Sequence, residues 1–167
     1  KGGPQPRRAR ARGESGVLVR KVYLQRFVQD IREHLKHEFA GRAIELVVDA
    51  RYDGPAHFDD QKMRRVVHNI ARNAAQAMPG GGRFSVVVDR QDRDLILELH
   101  DTGPGIPAEM EGRLFEAFAT SGKKGGTGLG LAIVKKIVDE HKGEITCRSS
   151  PGQGPPFVLR LPLHPPP

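Results

Sequence analysis

The first clear pattern along the chain is helical. In "YLQRFVQDIREHLKHEF", residues 23–39, apolar side chains fall at Leu24, Phe27, Val28, Ile31, Leu35 and Phe39. Steps of three and four put them on one helix face, and Gly41 follows as a C-terminal stop. A second helix is expected from Asp59 or Asp60, either of which suits an N-cap, through Met78. Its buried face would be Met63, Val66, Val67, Ile70, Ala74 and Ala77. A third, "LGLAIVKKIVDEHK" (129–142), turns Leu131, Ile133, Val134, Ile137 and Val138 inward. Elsewhere the pattern is that of strands. These are "VLVRKV" (17–22), "AIELVVDA" (43–50), a hairpin of "RFSVVVDR" and "DLILELHD" across "QDR", and a last pair, "GEITCRSS" and "PFVLRLPL", turned by "PGQG". "RYDGPAHF" reads as a turn-rich connection, and 102 to about 127 as a loop with a short helical piece near 108–116.

Strands that come largely as hairpins, interspersed with about three helices, predict an α/β (α+β) two-layer sandwich. Its mixed, mostly antiparallel sheet would be covered on one face by the helices. The 167 residues suit one such domain over 17–163, between a segment 1–16 and a tail 164–167. At 37% hydrophobic and 28% charged the chain is globular in composition, and no apolar run approaches the roughly 18 residues of a membrane span. No apolar signal segment opens it. The single Cys147 excludes an internal disulfide and suits a reducing, cytoplasmic setting. No Cys/His cluster has zinc spacing. The net charge of +7 invites a nucleic-acid reading, but Lys1, Arg7, Arg8, Arg10 and Arg12 against Glu14 put +4 of it in the Pro/Gly/Arg-rich first 16 residues. That segment reads as a flexible linker or chain end. The charge left over is modest, so no nucleic-acid partner is expected.

Three stretches bear on chemistry. In "HNIARNAAQAM" (68–78), Asn69, Arg72, Asn73 and Gln76 share a helix face, being three and four apart. Asparagine is a poor helix former, while its amide carbonyl suits Mg²⁺ or the waters around it; the plain alternative is a solvated polar face. In "DTGPGIP" (101–107) the carboxylate of Asp101 closes the strand "LILELH". A carboxylate anchored there can accept a hydrogen bond from an exocyclic amine, and Gly103 and Gly105 let backbone approach a flat ring. The alternative is an ordinary surface turn. In "TSGKKGGTGLGLAIV" (120–134) glycines open into a helix whose first N–H groups and positive dipole end suit phosphate, with Lys123 and Lys124 adjacent. It is neither a Walker A loop nor G-x-G-x-x-G.

Taken in order, these stretches resemble a known family. "HNIARNAAQAM" looks like the N box, "DTGPGIP" the first glycine box, "LFEAF" (114–118) the F box and "GTGLGLAIV" the second glycine box. The set resembles the catalytic ATP-binding domain of two-component sensor histidine kinases, in the GHKL superfamily shared with gyrase and mismatch-repair ATPases. "NAAQAMPGGG" is most similar to the nitrogen-regulation branch. The resemblance implies that Asp101 reads adenine, helped by Gly103, Gly105 and Ile106. Asn73 would be the Mg²⁺ ligand and Asn69 the phosphate-side asparagine. The family commonly has Lys where this chain has Gln76, so Lys123 or Lys124 would supply that charge. Phe115 and Phe118 would anchor a mobile ATP lid, and Thr127, Gly128, Leu129 and Gly130 would meet the phosphates. ATP and Mg²⁺ are the implied cofactors.

Relatives resembling gyrase carry a glutamate one turn before the magnesium asparagine to activate water. Asn69 stands there, and an amide is no general base at neutral pH. Phosphoryl transfer is therefore expected over hydrolysis; the alternatives are a gyrase-like ATP hydrolase and a degenerate interaction module. The family's phosphoaccepting histidine precedes this domain. His37-Glu38 has a superficial likeness to it but lacks the following proline and lies inside the first helix. His68, beside the N box, is a further candidate for touching a phosphate. The implied partners are a histidine-bearing dimerisation domain of the same kinase and, through the whole kinase, a response regulator. Alone, this domain is expected to be a monomer that does not autophosphorylate.

Overall fold

The computed structural model describes residues 16–106, 110, 112–117, 129–147 and 156–164. In chain order the elements are β1 (Arg20–Tyr23), α1 (Leu24–Glu38), β2 (Ile44–Ala50), β3 (Pro55–Phe58), α2 (Asp60–Ala77), β4 (Gly82–Gln91), β5 (Asp94–Asp101), α3 (Gly130–Glu140), β6 (Glu144–Cys147) and β7 (Phe157–Pro162). The main sheet runs β2-β4-β5-β7-β6. β2 and β4 are parallel, because the chain between them crosses over through α2; the other pairs are antiparallel. This is the mixed sandwich expected from the sequence.

Alternation decides what the sheet buries. Phe84, Val86 and Val88 of β4, Leu95, Leu97 and Leu99 of β5, and Phe157, Leu159 and Leu161 of β7 point into the core. They meet Leu24, Phe27, Val28, Ile31 and Leu35 of α1 and Met63, Val66, Val67 and Ile70 of α2, with Val134, Ile137 and Val138 of α3. Phe39 stands edge-on to Phe84 at 5.7 Å, and Phe27 to Phe58 at 5.0 Å.

Several local expectations shift. "PAHF", taken as connection, is strand β3: Ala56 and Phe58 are buried and His57 is not, and the segment pairs with β1 in a separate two-stranded ribbon. β1 starts at Arg20 rather than Val17. On α2, Ala71 and Ala75 are buried while Ala77 is half-buried, since the helix faces α3 as well as the sheet. The β4–β5 turn has two residues, Asp92 and Arg93, with Asp92 at φ +56°. Near residue 110 the bonds are of i→i+3 type, Arg113 N–H to Met110 O and Glu116 N–H to Arg113 O, so the described part of that piece is a tight turn and not an α-helix. The "PGQG" turn lies outside the described residues.

Asp59 is the N-cap of α2 and the hub of a buried polar group. Its Oδ1 accepts from Lys62 N–H at 3.1 Å and its Oδ2 from Leu18 N–H at 2.9 Å. Its own N–H donates to His141 Nε2 at 3.0 Å, and His141 Nδ1 donates to Ile137 O at 2.7 Å. Nε2 accepts there, so the proton of His141 sits on Nδ1. Lys62 Nζ donates to Gly16 O at 2.8 Å and lies 3.6 Å from Glu140.

Phe84 is wholly buried and stacked on Phe39, so Phe84→Ala should lower stability by about 4 kcal/mol in urea unfolding. Lys21→Ala, on the exposed ribbon, should change it by less than about 0.5 kcal/mol.

Candidate functional site

α2 has two working faces. Its apolar seam enters the core, and the adjoining flank carries Asn69, Asn73 and Gln76, all half-buried, with Arg72 exposed. The amide nitrogen of Asn69 donates to Gly130 O, the first residue of α3, at 3.1 Å. One helical turn beyond Asn73 on the same face is Ala77, and there the loop after β5 docks. A Cβ on Gly103 would lie 3.1 Å from Ala77 O and 2.9 Å from Asp101 Oδ1, so only glycine lets the loop sit this close. Thr102 Oγ1 accepts from Arg83 N–H at 3.0 Å, tying the same loop to β4.

Asp101 continues the inward register of Leu95, Leu97 and Leu99 one step past the core. It is half-buried, and its Oδ1 accepts from Gly103 N–H at 2.7 Å, which fixes the carboxylate by a local turn. Gly105 follows with φ +86° and Ile106 is half-buried. At the far side, Leu129 is the N-cap position of α3 and offers no side-chain cap to the helix N-terminus. Among the described residues, a Cβ on Gly130 would meet nothing within 4 Å. Asn69, Asn73 and Gln76 lie along the C-terminal half of α2, Gly130 with its neighbour Leu129 bonds to Asn69, and Gly103 with Asp101 rests against Ala77; Gly105 and Ile106 follow in the same loop. Phe118, Lys123, Lys124, Thr127 and Gly128 lie outside the described residues. Phe115 packs edge-on against Phe157 of β7 at 6.3 Å; the lid it was expected to anchor lies outside the described residues.

Two residues change the reading. His68 is turned to α1, where its Nδ1 and His34 Nε2 lie 2.9 Å apart, and burial holds its pKa below the usual histidine value. It belongs to the α1–α2 contact and not to the asparagine flank. Cys147 went unremarked as a site residue, yet "EITC" alternates Ile145 and Cys147 inward, and that alternation was the available signal. Burial first, and then the charge of Asp101, push its thiol up to about 12. Among the described residues no group of three or more His, Cys, Asp or Glu side chains could hold a metal ion.

The sequence pattern of the "Histidine kinase-, DNA gyrase B-, and HSP90-like ATPase" family matches residues 58–165. The alginate biosynthesis sensor protein KinB of Pseudomonas aeruginosa is 41% identical over 106 residues, 63% of this chain and 18% of KinB. The nitrogen regulation protein NtrY of Azorhizobium caulinodans is 40% identical over 116 residues, 65% of this chain and 15% of NtrY. The chain thus spans less than a fifth of either relative. Among solved structures, the mycobacterial sensor histidine kinase MprB superposes with a TM-score of 0.73 at 31% identity, over 87% of this chain and 98% of that one. Full-length ShkA in complex with AMPPNP gives 0.76 at 25% identity, over 89% of this chain and 32% of that one.

A thiol near pKa 12 is almost wholly protonated at neutral pH, and the thiolate is the nucleophile. Iodoacetamide should label Cys147 at least about a hundredfold more slowly than an unperturbed cysteine at pH 8, the rate rising about tenfold per pH unit. Asp101→Asn removes one raising charge and should quicken labelling, as read by mass spectrometry.

Proposed function

Because this chain belongs to the histidine kinase-, DNA gyrase B- and HSP90-like ATPase family, we propose that it is the Mg·ATP-binding catalytic domain of a sensor histidine kinase. It would hold ATP for transfer of the γ-phosphate to a histidine on a separate dimerisation domain. The observation that carries this reading is the convergence on α2 of three parts: the half-buried amides, the Asp101 turn that rests on Ala77, and the start of α3, bonded to Asn69 through Gly130.

In this reading the fixed carboxylate of Asp101 accepts from the adenine amino group, and the Gly103–Gly105 backbone and Ile106 border the ring. The phosphates approach the amides at the start of α3, where the helix dipole favours negative charge. Asn73 offers an amide oxygen to Mg²⁺, whose remaining positions suit water and phosphate oxygens. Bound there, the ion would neutralise charge on the transferring phosphoryl group. Asn69 stands on the phosphate side, its amide nitrogen bracing Gly130. Gln76, Lys123, Lys124, Thr127, Gly128 and Leu129 complete the phosphate end, and Phe118 the lid base. Asn69 supplies no general base for water, so the reaction is transfer and not hydrolysis. The outside partners are the histidine-bearing dimerisation domain and a response regulator reached through the whole kinase. No helix among the described residues is long and apolar enough to cross a membrane, and we place the domain in the cytoplasm as a monomer.

Calorimetric titration of AMPPNP with Mg²⁺ should give micromolar-range binding to the parent and at least tenfold weaker binding, about 1.4 kcal/mol, to Asp101→Asn. Absence of binding to the parent overturns the reading, and equal binding by both removes Asp101 from it. Radiolabelled ATP should leave no label on the isolated chain. Steady ATP turnover lost in Asn69→Ala would instead mark a hydrolase.

A further inference from the structure

We propose that His141, held by the main-chain N–H of Asp59 at the opposite end of the helix layer, is a positioning residue for the phosphate end of the site, a role that rests on the nucleotide reading above. α2 and α3 run antiparallel and are fastened to each other at two places. At one, Asp59 N–H donates to His141 Nε2 at 3.0 Å; at the other, Asn69 Nδ2 donates to Gly130 O at 3.1 Å. Asp59 to Asn69 is ten residues along α2, and Gly130 to His141 is eleven along α3. At 1.5 Å per residue these are spans of about 15 and 16 Å. The matched spans fix the register of the two helices, so a slip at one fastening must open the other or shear the core between them. That core is Val134, Ile137 and Val138, closely packed.

The remote fastening is polar and buried, with Asp59 6% and His141 7% exposed. Apolar packing could fill such a place; what hydrogen bonds add there is direction, because the buried groups must stay paired. The same cluster grips the chain ahead of β1, through Leu18 N–H on Asp59 Oδ2 at 2.9 Å and Gly16 O on Lys62 Nζ at 2.8 Å. One joint therefore holds both the segment that leads into the domain and the end of the helix whose other end faces the phosphates. Among the described residues the buried Glu140 Oε1 has no hydrogen-bond partner and faces Lys62 Nζ at 3.6 Å, so it is held in the joint by charge.

The test uses the whole chain and three variants. Asp59→Asn keeps an N-cap side chain but loses the carboxylate; His141→Phe keeps the volume and removes the acceptor; His141→Gln returns an acceptor. Hydrogen exchange is followed at the Ile133 amide, which bonds Leu129 O in the first turn of α3 at 2.9 Å, with sheet amides of Val86 and Leu97 as internal controls. In His141→Phe, Ile133 should exchange at least tenfold faster while the sheet amides hold, and Mg·AMPPNP should bind at least threefold more weakly; Asp59→Asn, which keeps the main-chain N–H on His141, should leave Ile133 as in the parent and speed exchange at Leu18. His141→Gln should restore both. In the parent, saturating Mg·AMPPNP should slow exchange of the Leu18 amide. A folded His141→Phe that melts lower yet keeps Ile133 exchange and nucleotide affinity overturns the proposal, as does acceleration of all amides alike. A parent that binds no nucleotide defeats the functional reading separately; unchanged Ile133 exchange then defeats the coupling as well, and faster exchange upholds it.

Discussion

One cylinder has to satisfy two solvents. α2 presents an apolar seam to the sheet and α3 and a half-buried flank of amides beside it, and among the described residues it links most of the parts of the candidate site. Its N-terminus is capped by Asp59, its middle braces α3 through Asn69, and its last turn receives the loop that holds Asp101. The helix-poor asparagines at 69 and 73 cost some intrinsic helicity. The seam of Met63, Val66, Val67 and Ile70 offsets that cost by burial, since tertiary packing rather than propensity supplies most helical stability. The site is therefore only as well placed as the seam is packed.

The candidate site lies where the inward register of the sheet outruns the helices. Leu95, Leu97 and Leu99 have helix above them; Asp101, next in the same series, does not need to be apolar. A carboxylate can be placed rigidly there without the penalty of full burial, because its backbone belongs to a ladder and its side chain to a two-residue turn. Gly103 then lets that turn rest on Ala77, and the spacing between carboxylate and amide flank is set by backbone contact rather than by flexible side chains.

Much of this was legible because it is written in periods. The 3.6-residue pattern located the three helices of the described residues, and the asparagine flank followed from the same count. The glycine-bearing turn after Asp101 announced itself by composition. What escaped depends on partners distant in sequence. β3 has four residues, too few for a period to declare itself, and exists because β1 pairs with it. His68 looked like a site residue from its neighbours, but its partner is His34 on another helix. The buried hub at Asp59 could be guessed as a cap, but not as the joint with His141, which lies 82 positions away.

Cys147 sits beside Asp101 at the end of the sheet, and its thiol is held in the neutral form by burial and by that carboxylate. Sulfenic acid formation and disulfide exchange both begin from thiolate. Burial and the Asp101 carboxylate therefore keep the sulfur chemically quiet: an oxidant that needs the thiolate meets little of it at neutral pH, and this cysteine is a poor place for a redox signal to enter the domain.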